Sequence, residues 1–318
     1  QYDHELETHR LTAGADALVE ELRSSRIEPS RVDRQRFAIF AQDEWTPSAL
    51  PRVSVLAGAR LDVDTFFGIY PTPRAAVTVT PTRRVTIRAS YGRGYRAPSF
   101  REMFLRFSNP AVGYVVRGNA ELRPETSWST SASLELRPWS WLGLAAHVFD
   151  HRLQDTIVVD TIEDEGEVTR FGYVNVGEAQ SRGVETLASL AVLDPLRLEG
   201  SYSFAHTWDV ENRRPLPGRP RHYGTAGLAY VRERWGTSVR VRAAILGRRS
   251  FFADLDGDGL EDTRATRPFA TLDLRVGQAL LADRIQAFAG VENLLDAGDA
   301  TTNPIPPRSF YGGLTVRY

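Results

Sequence analysis

The feature that most constrains this chain is its period. Nearly from end to end, apolar residues recur at every second position. In RRVTIRASYGRGYR, Val85, Ile87, Ala89 and Tyr91 fall on one side, and Arg84, Thr86, Arg88 and Ser90 on the other. Successive side chains of a strand point to opposite faces, so this spacing builds one apolar and one polar face. Val53, Val55, Ala57, Ala59 and Leu61 repeat the pattern. So do Trp128, Thr130, Ala132, Leu134 and Leu136, opposed by Ser127, Ser129, Ser131, Ser133 and Glu135. Further on, Leu196, Leu198, Tyr202 and Phe204, then Trp235, Val239, Val241 and Ile245, obey the same rule. At the end, Phe310, Gly312, Leu314, Val316 and Tyr318 alternate with Tyr311, Gly313, Thr315 and Arg317. Only Ala17 to Arg23 allows a helical reading.

The period predicts about fourteen strands, over 5–19, 33–46, 52–64, 72–81, 84–97, 125–138, 142–158, 169–193, 196–208, 219–231, 235–248, 267–280, 284–294 and 309–318. Most run nine residues or more. That suits a tilted membrane strand of about 9–11 residues better than a soluble strand of about 5–6. The connections alternate in length. Short ones fall near Pro81-Thr82, Pro138-Trp141, Asp194-Pro195, Arg232-Arg234 and Ala282-Asp283. Long polar ones cover 98–124, 159–168, 209–218, 249–266 and 295–308. Outer-membrane barrels sort their loops in this way, with short turns on the periplasmic side.

All six tryptophans lie near a strand end. Trp45, Trp139, Trp141 and Trp235 sit by the short turns, and Trp128 and Trp208 near the opposite ends. An interfacial aromatic girdle has this placement. A mean hydropathy of -0.31 is compatible with it, because alternating strands average to mild polarity. No run of 18 apolar residues is present. In hydrocarbon every backbone donor and acceptor must be paired, so a spanning sheet has to close. The expected fold is all-β: a transmembrane antiparallel up-and-down β-barrel, with residues 1–318 as a single barrel domain. The last strand closes it, with its final aromatic in the lower girdle.

Composition narrows the function. The net charge of -1 gives no electrostatic footprint for nucleic acid. The 39 basic residues are all arginine. Cysteine is absent, which removes disulfides and thiolate chemistry. There is no nucleophile elbow, phosphate loop or zinc spacing, so no catalytic residue is assigned and an enzyme is not expected.

Six stretches, in order, resemble TonB-dependent outer-membrane receptors: FAIFAQDEWTP (37–47), YGRGYRAPSFREMF (91–104), GNAELRPETS (118–127), YVNVGEAQSRGVE (173–185), RPRH (219–222) and GVENLLD (290–296). The resemblance implies a 22-stranded barrel plugged by an N-terminal globular domain, in the bacterial outer membrane. The TonB complex would supply energy by gripping an N-terminal motif. On that comparison the chain holds the C-terminal part of the barrel, without the plug and about eight strands. A complete 14-strand barrel is the alternative, since even-numbered barrels from 8 strands upward exist.

The resemblance implies energy-coupled uptake of a scarce nutrient such as a ferric siderophore or cobalamin, by a monomer. A passive porin-like channel, a haem receptor and a soluble all-β binding or hydrolytic protein are the competing readings. No histidine lies between Pro98 and Asn119, where haem receptors of this family often place a ligand. Partners would be outer-membrane lipid and a small-molecule ligand.

Loop 98–124 combines Phe100, Phe104, Phe107 and Tyr114 with Arg101, Arg106 and Arg117. Aromatics beside arginines suit an anionic, ring-bearing ligand. Phe104, Tyr114, Arg117 and Trp208 are the candidate ligand contacts. In DLDGDGLED, Asp254, Asp256, Asp258 and Asp262 match positions 1, 3, 5 and 9 of a calcium loop. Position 12 is Ala265 instead of Glu, and a solvated acidic turn is the competing reading. No cofactor is required beyond a possible Ca²⁺ there. Arg88, Arg240, Arg242 and Arg275 fall on polar faces and are expected to point into the lumen. They would meet a plug, or set anion preference in an open channel. His147 and His151 share a face but stand about 13 Å apart by strand rise, too far for one metal.

Overall fold

The computed structural model describes residues 1–109, 114–164, 169–253, 262–281, 284–298 and 305–316. Its strands are β1 (Tyr2–Glu5), β2 (His9–Arg23), β3 (Arg31–Trp45), β4 (Val53–Asp64), β5 (Gly68–Thr82), β6 (Val85–Arg96), β7 (Arg106–Asn109), β8 (Tyr114–Arg117), β9 (Glu125–Trp139) and β10 (Leu142–Asp164). Then follow β11 (Thr169–Leu193), β12 (Leu196–Asp209), β13 (Arg214–Pro215), β14 (His222–Arg232), β15 (Thr237–Leu246), β16 (Ser250–Ala253), β17 (Asp262–Ala265), β18 (Phe269–Leu280), β19 (Ile285–Glu292) and β20 (Ser309–Val316). One helix, α1 (Phe100–Phe104), lies between β6 and β7.

The fourteen long strands match the fourteen expected segments one for one, with ends displaced by a few residues. Each pairs antiparallel with its chain neighbour, from β2 through to β20. Hairpin follows hairpin, so no long crossover is needed. The remaining strands, β1 aside, belong to connections. Among the described residues no pairing joins β20 to β1 or β2, so closure of the sheet is not seen here.

Register turns the sequence period into two surfaces. Ile87, Leu134, Ala146, Thr186 and Tyr202 stand in one cross-strand row. One row up, Ala89, Ala132, Val148, Val184 and Phe204 continue the apolar face. Ile87, Leu134, Val148, Tyr202 and Ile245 are all exposed. Such a belt is unfavourable in water and favourable in hydrocarbon. The opposite face carries Arg88, Ser133, His147, Glu185 and Ser203 in one row.

At one sheet end the turns 83–84, 140–141 and 194–195 are two residues each. Trp139 and Leu142 face each other across one such turn, and Leu193 and Leu196 across another. The turn after β14 is a 3₁₀ segment, Glu233–Trp235, closed by Gly236 at φ 64°. Trp45, Trp139, Trp141 and Trp235 crowd this end, all exposed, with Trp139 and Trp141 stacked at 5.1 Å. Trp128 and Trp208 lie near the far ends of β9 and β12. The two-sided girdle read from the sequence is present.

Three expectations are corrected. Ala17 to Arg23 is strand, paired residue by residue from Ala17 opposite Phe37 to Arg23 opposite Arg31. Pairing to a neighbour overrides the weak helical propensity there. Residues 159–164, expected in a polar loop, extend β10, because β11 offers matching partners as far as Asp164 opposite Thr169. Connection 98–124 is built of α1, β7 and β8 and is not a bare loop.

Candidate functional site

The long connection between β6 and β9 is a folded shelf above the barrel wall. It starts with a capped helix. Ser99 is the N-cap: its hydroxyl accepts from Glu102 N–H at 3.3 Å, and Glu102 Oε2 accepts from Ser99 N–H at 2.7 Å. This reciprocal box satisfies donors that a free helix end leaves open. Burial pushes the Glu102 carboxyl up. Hydrogen bonds from Arg96 and from the Ser99 N–H and hydroxyl outweigh that, and hold it below the usual carboxylate range. Arg96 reaches both Glu102 oxygens at 3.1 Å and bridges to Glu125 at the start of β9.

The helix buries Phe100 against Ile27 and Val32, with Leu22 and Phe104 alongside. Phe66, from the tip of the β4–β5 hairpin, packs on Phe100 at 6.3 Å and on Phe104 at 6.2 Å. Beneath them Arg34, only 4% exposed, donates to Pro98 O at 2.7 Å and to Glu20 Oε2 at 2.8 Å. Its guanidinium lies 5.1 Å from the Phe100 ring centre.

β7 and β8 then form a hairpin, and β8 runs parallel to the upper part of β11, Tyr114 opposite Thr169 and Arg117 opposite Gly172. Side chains lock this in place. Asn119 Nδ2 donates to Tyr173 O at 3.0 Å. Asn175 Nδ2 donates to Asp155 O at 2.7 Å and to Arg123 O at 2.9 Å. Tyr114 packs between Phe107 at 5.8 Å and Phe171 at 6.3 Å. Arg26 lies 5.8 Å from the Phe107 ring centre. Arg106 and Arg117 stand opposite in register; Arg106 pairs with Glu28, while Arg117 is exposed without an ion pair among the described residues.

The four candidate ligand contacts therefore separate. Tyr114 and Arg117 both lie on β8 but emerge on opposite faces of its hairpin, Tyr114 with Phe107 and Arg117 with Arg106. Phe104 belongs to the apolar cluster that seats the helix. Trp208 stacks on His206 at 5.4 Å and stands opposite Gln180, in a row with the apolar face. Sequence reasoning missed Arg26 and Phe171, which the fold brings to the ledge from the β2–β3 turn and from β11. It also missed Asn175, visible only as an Asn interrupting the valines of YVNVGE.

A second surface is the polar wall. Arg197, Ala229, Arg240, Arg275, Gly290 and Tyr311 form one row, and Glu199, Gly227, Arg242 and Asp273 the next. All of these but Gly290 line a groove of 1040 Å³. Arg240 and Arg275 are directly opposite, a like-charge arrangement that favours an anionic neighbour. The expected lumen-facing arginines, Arg88 included, all lie on this polar face.

Asp254, Asp256 and Asp258 lie outside the described residues. Asp262 opens β17 opposite Ala253. On β10, Phe149 stacks between His147 at 5.8 Å and His151 at 5.0 Å. No group of three or more His, Asp or Glu able to hold a metal occurs among the described residues.

An up-and-down antiparallel sheet with a lipid-fit outer face, a charged inner face and a structured shelf at the long-loop end is the wall of an outer-membrane transport barrel. Residues 6–294 match the family model for the TonB dependent receptor-like β-barrel, and the chain belongs to that family of transport receptors in the bacterial outer membrane. It is 27% identical over 304 residues to the iron-regulated outer membrane virulence protein of Vibrio cholerae, covering 91% of this chain and 45% of that protein. It is 22% identical to the vitamin B12 transporter BtuB of Photobacterium profundum, covering 88% and 44%. The fold superposes on the siderophore receptor PirA of Acinetobacter baumannii with a TM-score of 0.78 at 17% identity, over 98% of this chain and 52% of that one. The chain thus spans about half the length of the relatives it matches.

Proposed function

We propose that the whole protein is a receptor for energy-coupled uptake of a scarce nutrient, with a ferric siderophore the first candidate and a cobalamin the second. The observation that carries this is the shelf: a hydrogen-bonded, capped connection that presents Tyr114 and Phe107 on one face of the β7–β8 hairpin, with Arg26 over the Phe107 ring, and Arg117 on the other face. A passive channel has no need of an ordered aromatic and cationic ledge. Anionic ring-bearing chelates fit one, through stacking and charge-assisted contacts. The relatives named for iron regulation and vitamin B12 transport support the substrate class.

The polar wall, with Arg240, Arg242 and Arg275, would face the plug of the whole protein. Energy would come through TonB, as in the family. The test is growth of iron-starved cells that lack their own receptors and express the full-length protein. Growth on ferric siderophores that requires TonB supports the reading. Nutrient-independent passage of small solutes without TonB would overturn it in favour of a channel.

A further inference from the structure

The apolar outer face does not fade into plain polarity at the long-loop end. Above the row of Ala89, Ala132, Val148, Val184 and Phe204 stands Tyr91, Thr130, Asp150, Arg182 and His206. Above that stands Arg93, Trp128, Arg152, Gln180 and Trp208. Cross-strand partners share a face, so all of these side chains emerge on the lipid side. The three arginines thus sit at the height of the upper tryptophans, where hydrocarbon gives way to headgroups.

The patch is organised. Tyr91 stacks on Trp128 at 5.2 Å, and the Arg93 guanidinium lies 5.7 Å from the Trp128 ring centre. Asp150 accepts from Gln180 at 3.1 Å and lies 3.6 Å from Arg152 Nε. The Arg152 side chain remains 60% exposed. Arg182 is exposed and makes no ion pair among the described residues, although Asp150 is its register partner. Three cations against one carboxylate leave a net positive strip. With strands about 4.8 Å apart, Arg93 and Arg152 are separated by about 10 Å, wide enough for a headgroup with more than one phosphate.

We propose that Arg93, Arg152 and Arg182 bind the phosphorylated headgroup of an outer-leaflet lipid, whose acyl chains lie along the apolar rows below. Two features favour a lipid over a soluble anion: the patch runs without a break into the belt, and Trp128 and Trp208 stand in the same row as Arg93 and Arg152. Arginine suits the role because its planar fork pairs with phosphate oxygens bidentately.

The test uses the full-length receptor in nanodiscs of phosphatidylcholine, with or without one tenth of a bis-phosphorylated glucosamine lipid. Bound lipid is counted by native mass spectrometry. The expected result is retained phosphorylated lipid on the wild type. In an R152Q/R182Q variant it falls at least fivefold, and an R152K/R182K variant keeps most of it. R240Q, on the opposite face, leaves it unchanged. Equal retention by wild type and R152Q/R182Q overturns the proposal, as does an equal loss from R240Q. Displacement of the lipid by millimolar inorganic phosphate would assign the patch to free anions and overturn the lipid assignment. None of these readouts depends on transport, so the result stands apart from the uptake reading.

Discussion

Arg123 and Asn175 clasp one another: the Arg123 N–H donates to Asn175 Oδ1 at 2.8 Å, and Asn175 Nδ2 returns a bond to Arg123 O at 2.9 Å. One side chain on β11 thereby imitates a strand neighbour for a segment that has none, and ties the end of the shelf to the wall. Replacing Asn175 by Ala removes both bonds and a third to Asp155 O. Loss of a partner for such backbone groups costs about 1–3 kcal/mol. Hydrogen exchange should accelerate in 114–124 and not in the barrel strands, and ligand affinity should fall with it.

The helix cap predicts a pH dependence. Glu102 is held low by Arg96 and Ser99 against the upward push of burial. A carboxyl with a depressed folded-state pKa leaves the unfolded state binding more protons, so stability rises with pH. The contribution is present above the ordinary glutamate value of about 4.3 and is lost as pH falls through the folded value. Exchange in 99–105 should accelerate below about pH 4. E102Q should flatten that dependence, and S99A should cost about 1 kcal/mol at neutral pH.

Arg34 is the buried centre of an ion cluster. It is 4% exposed, pairs with Glu20 at 2.8 Å and lies 3.9 Å from Asp64, itself 3% exposed. Truncation to Ala would strand the buried Asp64 carboxylate and the Pro98 carbonyl, while Glu20 keeps Arg36 at 2.9 Å. Breaking a buried pair costs roughly 3–5 kcal/mol. Thermal melting of the detergent-solubilised receptor should drop accordingly, more than for R10A, whose exposed pair with Glu5 should contribute almost nothing.

The shelf residues should separate binding from folding. Y114A and R117Q should weaken ligand binding at unchanged melting temperature, as titrated by tryptophan fluorescence. F104A should act on stability first, because Phe104 packs on Phe66 and Phe100. Loss of stability without loss of affinity in Y114A would remove that residue from the binding ledge.

Gly236 occupies φ 64°, and a Cβ there would stand 2.5 Å from Ala279 O. Gly236→Ala combines left-handed strain of about 1–2 kcal/mol with a backbone clash. Slower assembly into the membrane, read as delayed protease resistance, is the expected outcome.

What the sequence determined by itself was whatever period and placement carry. Val85, Ile87, Ala89 and Tyr91 announce a face, six tryptophans announce two interfaces, and the strand count follows, because hydrocarbon admits no unpaired backbone. The inward direction of Arg88, Arg240, Arg242 and Arg275 was legible for the same reason. Tertiary structure alone decided the shelf. Nothing local tells that β8 will lie parallel to β11, that Asn175 will hold Arg123, or that Phe104 will turn inward while Tyr114 takes a ledge with Phe171. Trp208 makes the point most clearly. The sequence allowed it two places, the upper girdle and a ligand site, and register against Gln180 sets it on the lipid side. Period fixes a side chain's face only relative to its own strand; which face meets ligand, lipid or lumen is settled by pairing between strands far apart in the chain.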